Sequence, residues 1–171
     1  ISYYAIEGFP LAPETAASFN YHEQLTHPQN SPKIADILAS LSEGMNDFAI
    51  TDTVSAHIFY GMFDDFDPGD INADYIFHDA FSPGANPELW TRDTFTKLKG
   101  WSSDNAVLTT YSAASKAQGA LASAGWKVAK TQGALGKREM IVASLAADRL
   151  AELSRIDEER YARRYKQGDF D

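Results

Sequence analysis

The sequence predicts an α/β fold whose sheet is mostly parallel, with one antiparallel strand at its end. Short β-rich or apolar runs alternate with segments of helical spacing, the pattern of strand–helix–strand units. The helical segments are punctuated by Pro13 near one start and by Gly100 and Gly125 past two ends, as helix boundaries require. The stretch WKVAKTQGALGKREMIVASL (126–145) reads as strand, Gly-punctuated loop, strand, a long hairpin.

In chain order, ISYYAI (1–6) is β-rich and stops at Glu7-Gly8, a strand ending in an acid. LAPETAASFNYHEQLT has helical spacing after Pro13, HPQNSP (27–32) breaks it, and KIADILASLSEGM (33–45) is a second short helix. FAITDTVSAHIFYG (48–61) gives one or two strands, and DDFDPGD (64–70) is a turn-rich connector. ADYIFHDAF (73–81) holds the next strand, with YIF predicting burial on both faces.

NPELWTRDTFTKLKG (86–100) reads as a helix that Asn86 can cap, NAVLTTYS (105–112) as a strand ending in hydroxyl residues, and SKAQGALASAG (115–125) as a helix. From Ala146 to about Lys166 the spacing predicts one charged amphipathic helix, with QGDFD a frayed tail. The domain reading is an α/β domain over 1–145 and a C-terminal helix and tail over 146–171.

An open α/β sheet binds its ligands at the carboxyl ends of its strands. Three predicted strand ends carry polar residues: Glu7, Asp79 and the Thr109–Ser112 group. Past the apolar run ADYIF, HDAFSPGANPELW (78–90) combines an acid, two aromatics and two prolines. Such a rigid polar-and-aromatic loop suits a site.

Composition narrows the chemistry. A net charge of −9 argues against a general polyanion binder, so any nucleic-acid role needs a local basic patch. The cations of the last third, among them Lys137, Arg138 and the 155–166 cluster, are the candidates. The absence of cysteine excludes disulfides, thiolate metal sites and a Cys nucleophile. His22, His27, His57 and His78 lack metal-ligand spacing, and no metal site is expected. His78 and Asp79 are neighbours on a strand and point to opposite faces, so no dyad is expected. No apolar run approaches the roughly 20 residues of a membrane span. ISYYAIEGF lacks the basic start and long apolar centre of a signal peptide, and the chain reads as cytoplasmic.

The segments DAFSPGANPELWT, LTTYSAASKAQGALASAGWKV and GALGKREMIVA resemble the methyltransferase domains of the tRNA 5-methylaminomethyl-2-thiouridine biosynthesis bifunctional (MnmC) family. The likeness runs from ISYYAIEGFPL to about Ser144. It implies a Rossmann-like class I methyltransferase sheet with a C-terminal antiparallel hairpin. The implied enzyme is an S-adenosylmethionine-dependent N-methyltransferase acting on the aminomethyl group of a modified wobble uridine in tRNA. By the same resemblance Glu7, Gly61, Asp64 and Asp79 lie on the cofactor side, and Glu7 accepts the ribose hydroxyls. Asp79 is the implied catalytic residue, while Phe81, Ser82, Pro83 and Trp90 shape the substrate slot, with Lys137 and Arg138 contacting phosphates.

The sequence also departs from that family. The family's first strand and Gly-rich loop, which hold the methionine part of the cofactor, precede the segment that opens here, and the expectation is that such residues lie upstream. Gly61 is followed by Met62 where the family shows Gly-Asp, and Ala117-Gln118 stand where it shows Val-Arg. The family's FAD oxidoreductase domain is not in these residues, so a partner domain or protein is expected to prepare the amine. Two alternatives stay open: methylation of a small amine, and a non-catalytic RNA-binding or interaction module of the same fold.

Overall fold

The computed structural model describes residues 1–133 and 139–170. The chain forms two compact units, Ile1–Asp67 and Pro68–Asp171. The boundary expected at 145/146 therefore falls inside the second unit.

The first unit is built on a three-stranded sheet in the order β1-β3-β2, from β1 (Ser2–Glu7), β2 (Gly44–Thr51) and β3 (Val54–Tyr60). β1 runs parallel to β3 with Glu7 opposite Tyr60, whereas β2 and β3 form an antiparallel hairpin. Three short helices, α1 (Pro13–Ala17), α2 (Tyr21–Gln24) and α3 (Ser31–Ser40), lie between β1 and β2. At the hairpin base Asn46 is buried, and its side chain is satisfied by Ser42, by the Gly44 carbonyl at 2.9 Å and by the Ile58 carbonyl at 3.2 Å.

The second unit carries a five-stranded sheet in the order β4-β5-β7-β6-β8. Its strands are β4 (Ala73–Phe77), β5 (Ser102–Thr110), β6 (Lys127–Thr131), β7 (Met140–Ser144) and β8 (Ser154–Arg155). β4 and β5 are parallel, and the other three pairs are antiparallel, including the predicted β6–β7 hairpin. Helices α4 (Arg92–Gly100), α5 (Ser115–Ser123) and α6 (Glu158–Gln167) complete the unit. Its core gathers Phe95, Leu108, Leu121, Trp126, Val128, Ile141 and Leu150, all buried.

Parallel pairing is thus limited to β1–β3 and β4–β5 among the described residues, less than the mostly parallel sheet expected. The reason is local: Asp52-Thr53 is a two-residue turn that folds 44–60 back on itself, and only antiparallel strands accept so short a link. β4 also differs from the expectation. It is an edge strand, with Tyr75 and Phe77 exposed, because an apolar run does not by itself reveal how many faces are covered.

Residues 86–100 are two elements rather than one helix. Pro87–Trp90 form a 3₁₀ turn, and α4 starts only after Thr91, whose side chain accepts from Thr94 N. Asn86 bonds Glu88 Oε1 at 2.9 Å instead of capping. The continuous helix expected from Ala146 is likewise broken. Ile156 N donates to Val128 O at 3.1 Å, and Arg155 pairs with Ala129, so 154–156 extend the sheet. Asp157 then caps α6 by accepting from Arg160 N at 2.9 Å. Of the tail, residues 167–170 are packed rather than frayed: Gly168 closes α6 in the left-handed region, and Phe170 stacks on Tyr161 at 5.9 Å.

Candidate functional site

Candidate residues fall at the carboxyl ends of strands in each unit. In the first unit Glu7 ends β1 and Gly61 follows β3. Gly61 N donates to Glu7 O at 3.1 Å, so the two strand ends are tied together. The Glu7 side chain is exposed, and its Oε1 accepts from Phe9 N at 2.8 Å, which aims the carboxylate out of the strand end. A carboxylate keeps further lone pairs for two vicinal hydroxyls, so the donor set of a ribose fits this acid. A Cβ at Gly61 would meet the Phe59 ring at 2.6 Å, so glycine leaves room for that ring. Asp64 lies in the 3₁₀ turn Phe63–Asp65 that follows and is exposed.

The same sheet carries a second polar constellation. His57 Nδ1 meets Asp47 Oδ1 at 2.5 Å, His57 Nε2 meets Ser55 Oγ at 3.0 Å, and Tyr4 stacks on the imidazole at 4.5 Å. The order of contacts is that of a nucleophile relay. However, Ser55 and His57 lie on the central strand, whose backbone is paired with β1 and β2. Ser55 N donates to Ile1 O at 3.0 Å, and His57 stands opposite Tyr4 on β1 and Asp47 on β2, so the network reads as cross-strand support.

In the second unit Asp79 stands two residues past β4, exposed, while His78 beside it is buried. The two were expected to alternate as strand neighbours, but β4 ends at Phe77, before either of them. His78 N still donates to Thr109 O at 2.9 Å, which extends β4 by one rung against β5. The chain then leaves the sheet as a loop with its own hydrogen bonds: Ala85 N and Asn86 N both donate to Ser82 O, at 2.8 and 2.9 Å. Phe81 is 73% exposed and Ser82 is exposed, with Pro83 half-buried between them and the turn.

Trp90 is 1% exposed, which corrects the expectation that it offers surface to a substrate. Its ring packs edge-on to His78 at 4.7 Å and to Tyr111 at 6.1 Å, and Nε1 donates to Phe81 O at 2.7 Å. Its work is to hold the loop from behind. Lys137 and Arg138 lie outside the described residues. Two cations of the 155–166 cluster are engaged locally: Arg155 with Glu158 and Arg164 with Asp169 at 3.1 Å.

Two residues to which the sequence assigned no role in the loop belong to this group. Tyr111, just past β5, donates its hydroxyl to Ala80 O at 2.9 Å. Burial and then the Asp79 charge raise its pKa, so Tyr111 feels that carboxylate. His78 is held at a pKa of about 4 by burial, against the opposing pull of its hydrogen bond to the Leu89 backbone and of Asp79. Nε2 has no partner, and the ring's hydrogen bond is to the Leu89 backbone. The signal for Tyr111 was its place in the hydroxyl-rich strand end; nothing in the sequence marked His78 as a loop contact.

The arrangement is that of an α/β protein with acids at the carboxyl ends of parallel strands, the place where such folds bind nucleotide-type ligands. The pattern of the S-adenosyl-L-methionine-dependent methyltransferase family matches residues 31–146, and the chain belongs to that family. The protein is 29% identical over 142 residues to the tRNA 5-methylaminomethyl-2-thiouridine biosynthesis bifunctional protein MnmC of Campylobacter hominis, covering 82% of this chain and 21% of that one. It is 26% identical over 152 residues to the protein of the same name from Hydrogenovibrio crunogenus, covering 87% and 22%. The chain thus spans about a fifth of the length of these relatives. Among solved structures, MNMC2 from Aquifex aeolicus shares the fold with a TM-score of 0.58 at 22% identity, over 96% of this chain and 59% of that one. No helix among the described residues is long and apolar enough to cross a membrane, and none of their His, Asp and Glu side chains form a group of three that could hold a metal ion.

Proposed function

We propose that the protein methylates the aminomethyl nitrogen of a modified wobble uridine in tRNA, in the cytoplasm, using S-adenosylmethionine. The observation that carries this reading is the exposed Asp79 carboxylate at the carboxyl end of β4, on a loop bonded from behind by the buried Trp90 and the half-buried Tyr111, in a chain of this methyltransferase family. The names of the relatives, which concern tRNA 5-methylaminomethyl-2-thiouridine, support the substrate.

The bound cofactor supplies an electrophilic methyl group. Glu7 accepts its ribose hydroxyls, with Gly61 and Asp64 beside it in the first unit. Asp79 accepts an N–H of the neutral amine, orients the nitrogen lone pair and stabilises the positive charge that develops on nitrogen. Phe81, exposed on the loop, offers a flat face to the unpaired base, and Ser82 and Pro83 set the edge of that slot. Lys137 and Arg138 contact phosphates, which an acidic chain must do through a local patch. An oxidoreductase, as a domain or separate protein, prepares the amine.

Radiolabelled methyl transfer to tRNA carrying the unmethylated aminomethyl group tests the substrate, with free alkylamines in parallel. Label in tRNA alone supports the reading. Label in the alkylamines but not in tRNA replaces tRNA with a small-amine substrate. Calorimetric titration with S-adenosylhomocysteine tests the cofactor, and an absence of binding by the native protein would turn the reading toward a non-catalytic module.

A further inference from the structure

Two side chains each donate one hydrogen bond to a main-chain carbonyl of the loop after β4: Tyr111 Oη to Ala80 O at 2.9 Å and Trp90 Nε1 to Phe81 O at 2.7 Å. The loop is therefore held at two successive carbonyls where it starts, and the His78 ring, packed on Trp90, is bonded to the Leu89 backbone where it ends. The rings pack on one another as well: His78 and Trp90 meet edge-on at 4.7 Å, Trp90 and Tyr111 at 6.1 Å, and Phe95 closes behind His78 at 5.1 Å.

Asp79 sits inside this arrangement. The residue before it is fixed by His78 N to Thr109 O at 2.9 Å, and the residue after it by the Tyr111 hydroxyl. Its backbone is held on both sides while its side chain stays exposed. Between the anchors the loop stiffens itself through Ser82 O, and through Leu89 N to Asn86 O at 3.1 Å. Breaking such part-buried bonds to backbone carbonyls has a cost, because the carbonyl and the ring group both lose their partner.

We propose that His78, Trp90 and Tyr111 are positioning residues for methyl transfer, a clamp that holds the 79–90 loop and through it aims the Asp79 carboxylate. The proposal rests on the reading that Asp79 serves the amine. None of the three needs to touch the substrate; a displacement of Asp79 by about 1 Å is enough to cost up to 100-fold in rate.

Tyr111→Phe keeps the ring and removes only the donor, Trp90→Phe removes the donor together with part of a buried indole, and the two are compared in the native chain. The expected result is a roughly 10- to 100-fold fall in kcat, with KM and S-adenosylhomocysteine affinity nearly unchanged. In an Asp79→Asn background Tyr111→Phe should cause no further loss, because the clamp acts through that side chain. Amide exchange of Ala85, Asn86 and Leu89 should quicken in both single variants. Unchanged kcat, a full additional loss in the Asp79→Asn background, or unchanged exchange would each overturn the clamp. A wild-type protein that methylates no amine would bring down the Asp79 reading and the positioning role with it. That result is told apart from a failed clamp by the exchange measurement, which needs no substrate.

Discussion

The Tyr111 hydroxyl donates to the carbonyl of Ala80 at 2.9 Å, so the end of β5 holds the residue that follows Asp79. This one bond joins two strand ends that parallel pairing has already brought side by side, Phe77 opposite Thr109. It explains how an exposed carboxylate acquires a fixed direction without being buried.

His78 predicts an acid sensitivity. Burial holds its folded-state pKa near 4, against 6.5 for an ordinary histidine, so the unfolded chain binds more protons between those values. Its contribution to stability is complete above about pH 6.5 and is lost as pH falls toward 4. The full loss is on the order of 3 kcal/mol. Denaturant midpoints measured from pH 7 to 4 should fall for the wild type and fall less steeply for His78→Gln. Equal slopes would show that His78 does not titrate this way.

Gly119 predicts a packing limit. A Cβ there would lie 2.9 Å from Tyr165 Cβ, 2.9 Å from the Phe170 ring and 3.2 Å from the Tyr161 carbonyl. Gly119→Ala should cost about 1–3 kcal/mol by forcing α6 off α5. Thermal unfolding checks it, and an unchanged midpoint would mean that α6 yields without cost.

Gly125 has φ of 91°, in the left-handed region, where the chain turns from α5 into β6. The Lys99 Nζ near its Cβ position is a flexible tip and can move, so the backbone strain decides. Gly125→Ala should destabilise by about 1–2 kcal/mol, and Gly125→Asn by less, as measured by denaturant unfolding.

Glu158 ties β6 to α6. It accepts from Val128 N at 3.0 Å and from Arg155. Burial raises its pKa, but the Val128 and Arg155 contacts outweigh this and leave it lowered. The stability it adds is therefore present above the ordinary glutamate range and lost as pH falls through the lowered value. Glu158→Gln should cost about 1 kcal/mol near neutral pH and little in strong acid, a convergence that paired unfolding curves would reveal.

Much of this architecture was legible in the sequence. The β-rich start, the helix closed near Gly125 and the hairpin across 126–145 all rest on local signals, and the structure forms β1, α5 and the β6–β7 pair there. What the sequence could not convey depends on distant partners. The helical spacing after Ala146 gave way where Arg155 pairs with Ala129, and the apolar run of β4 did not reveal an edge. Trp90 looked like a surface for substrate, yet packs against His78 and Tyr111. Asp79 was visible because it follows a strand; the rings that hold its loop come from 78, 90 and 111 and meet only in the fold.

The most direct test of the account is single-turnover methyl transfer to aminomethyl-bearing tRNA by the native protein and by Asp79→Ala. The account predicts transfer by the wild type and a rate lower by roughly 100-fold or more in the variant, with S-adenosylhomocysteine affinity nearly unchanged. An Asp79→Ala protein that methylates at the wild-type rate would contradict it.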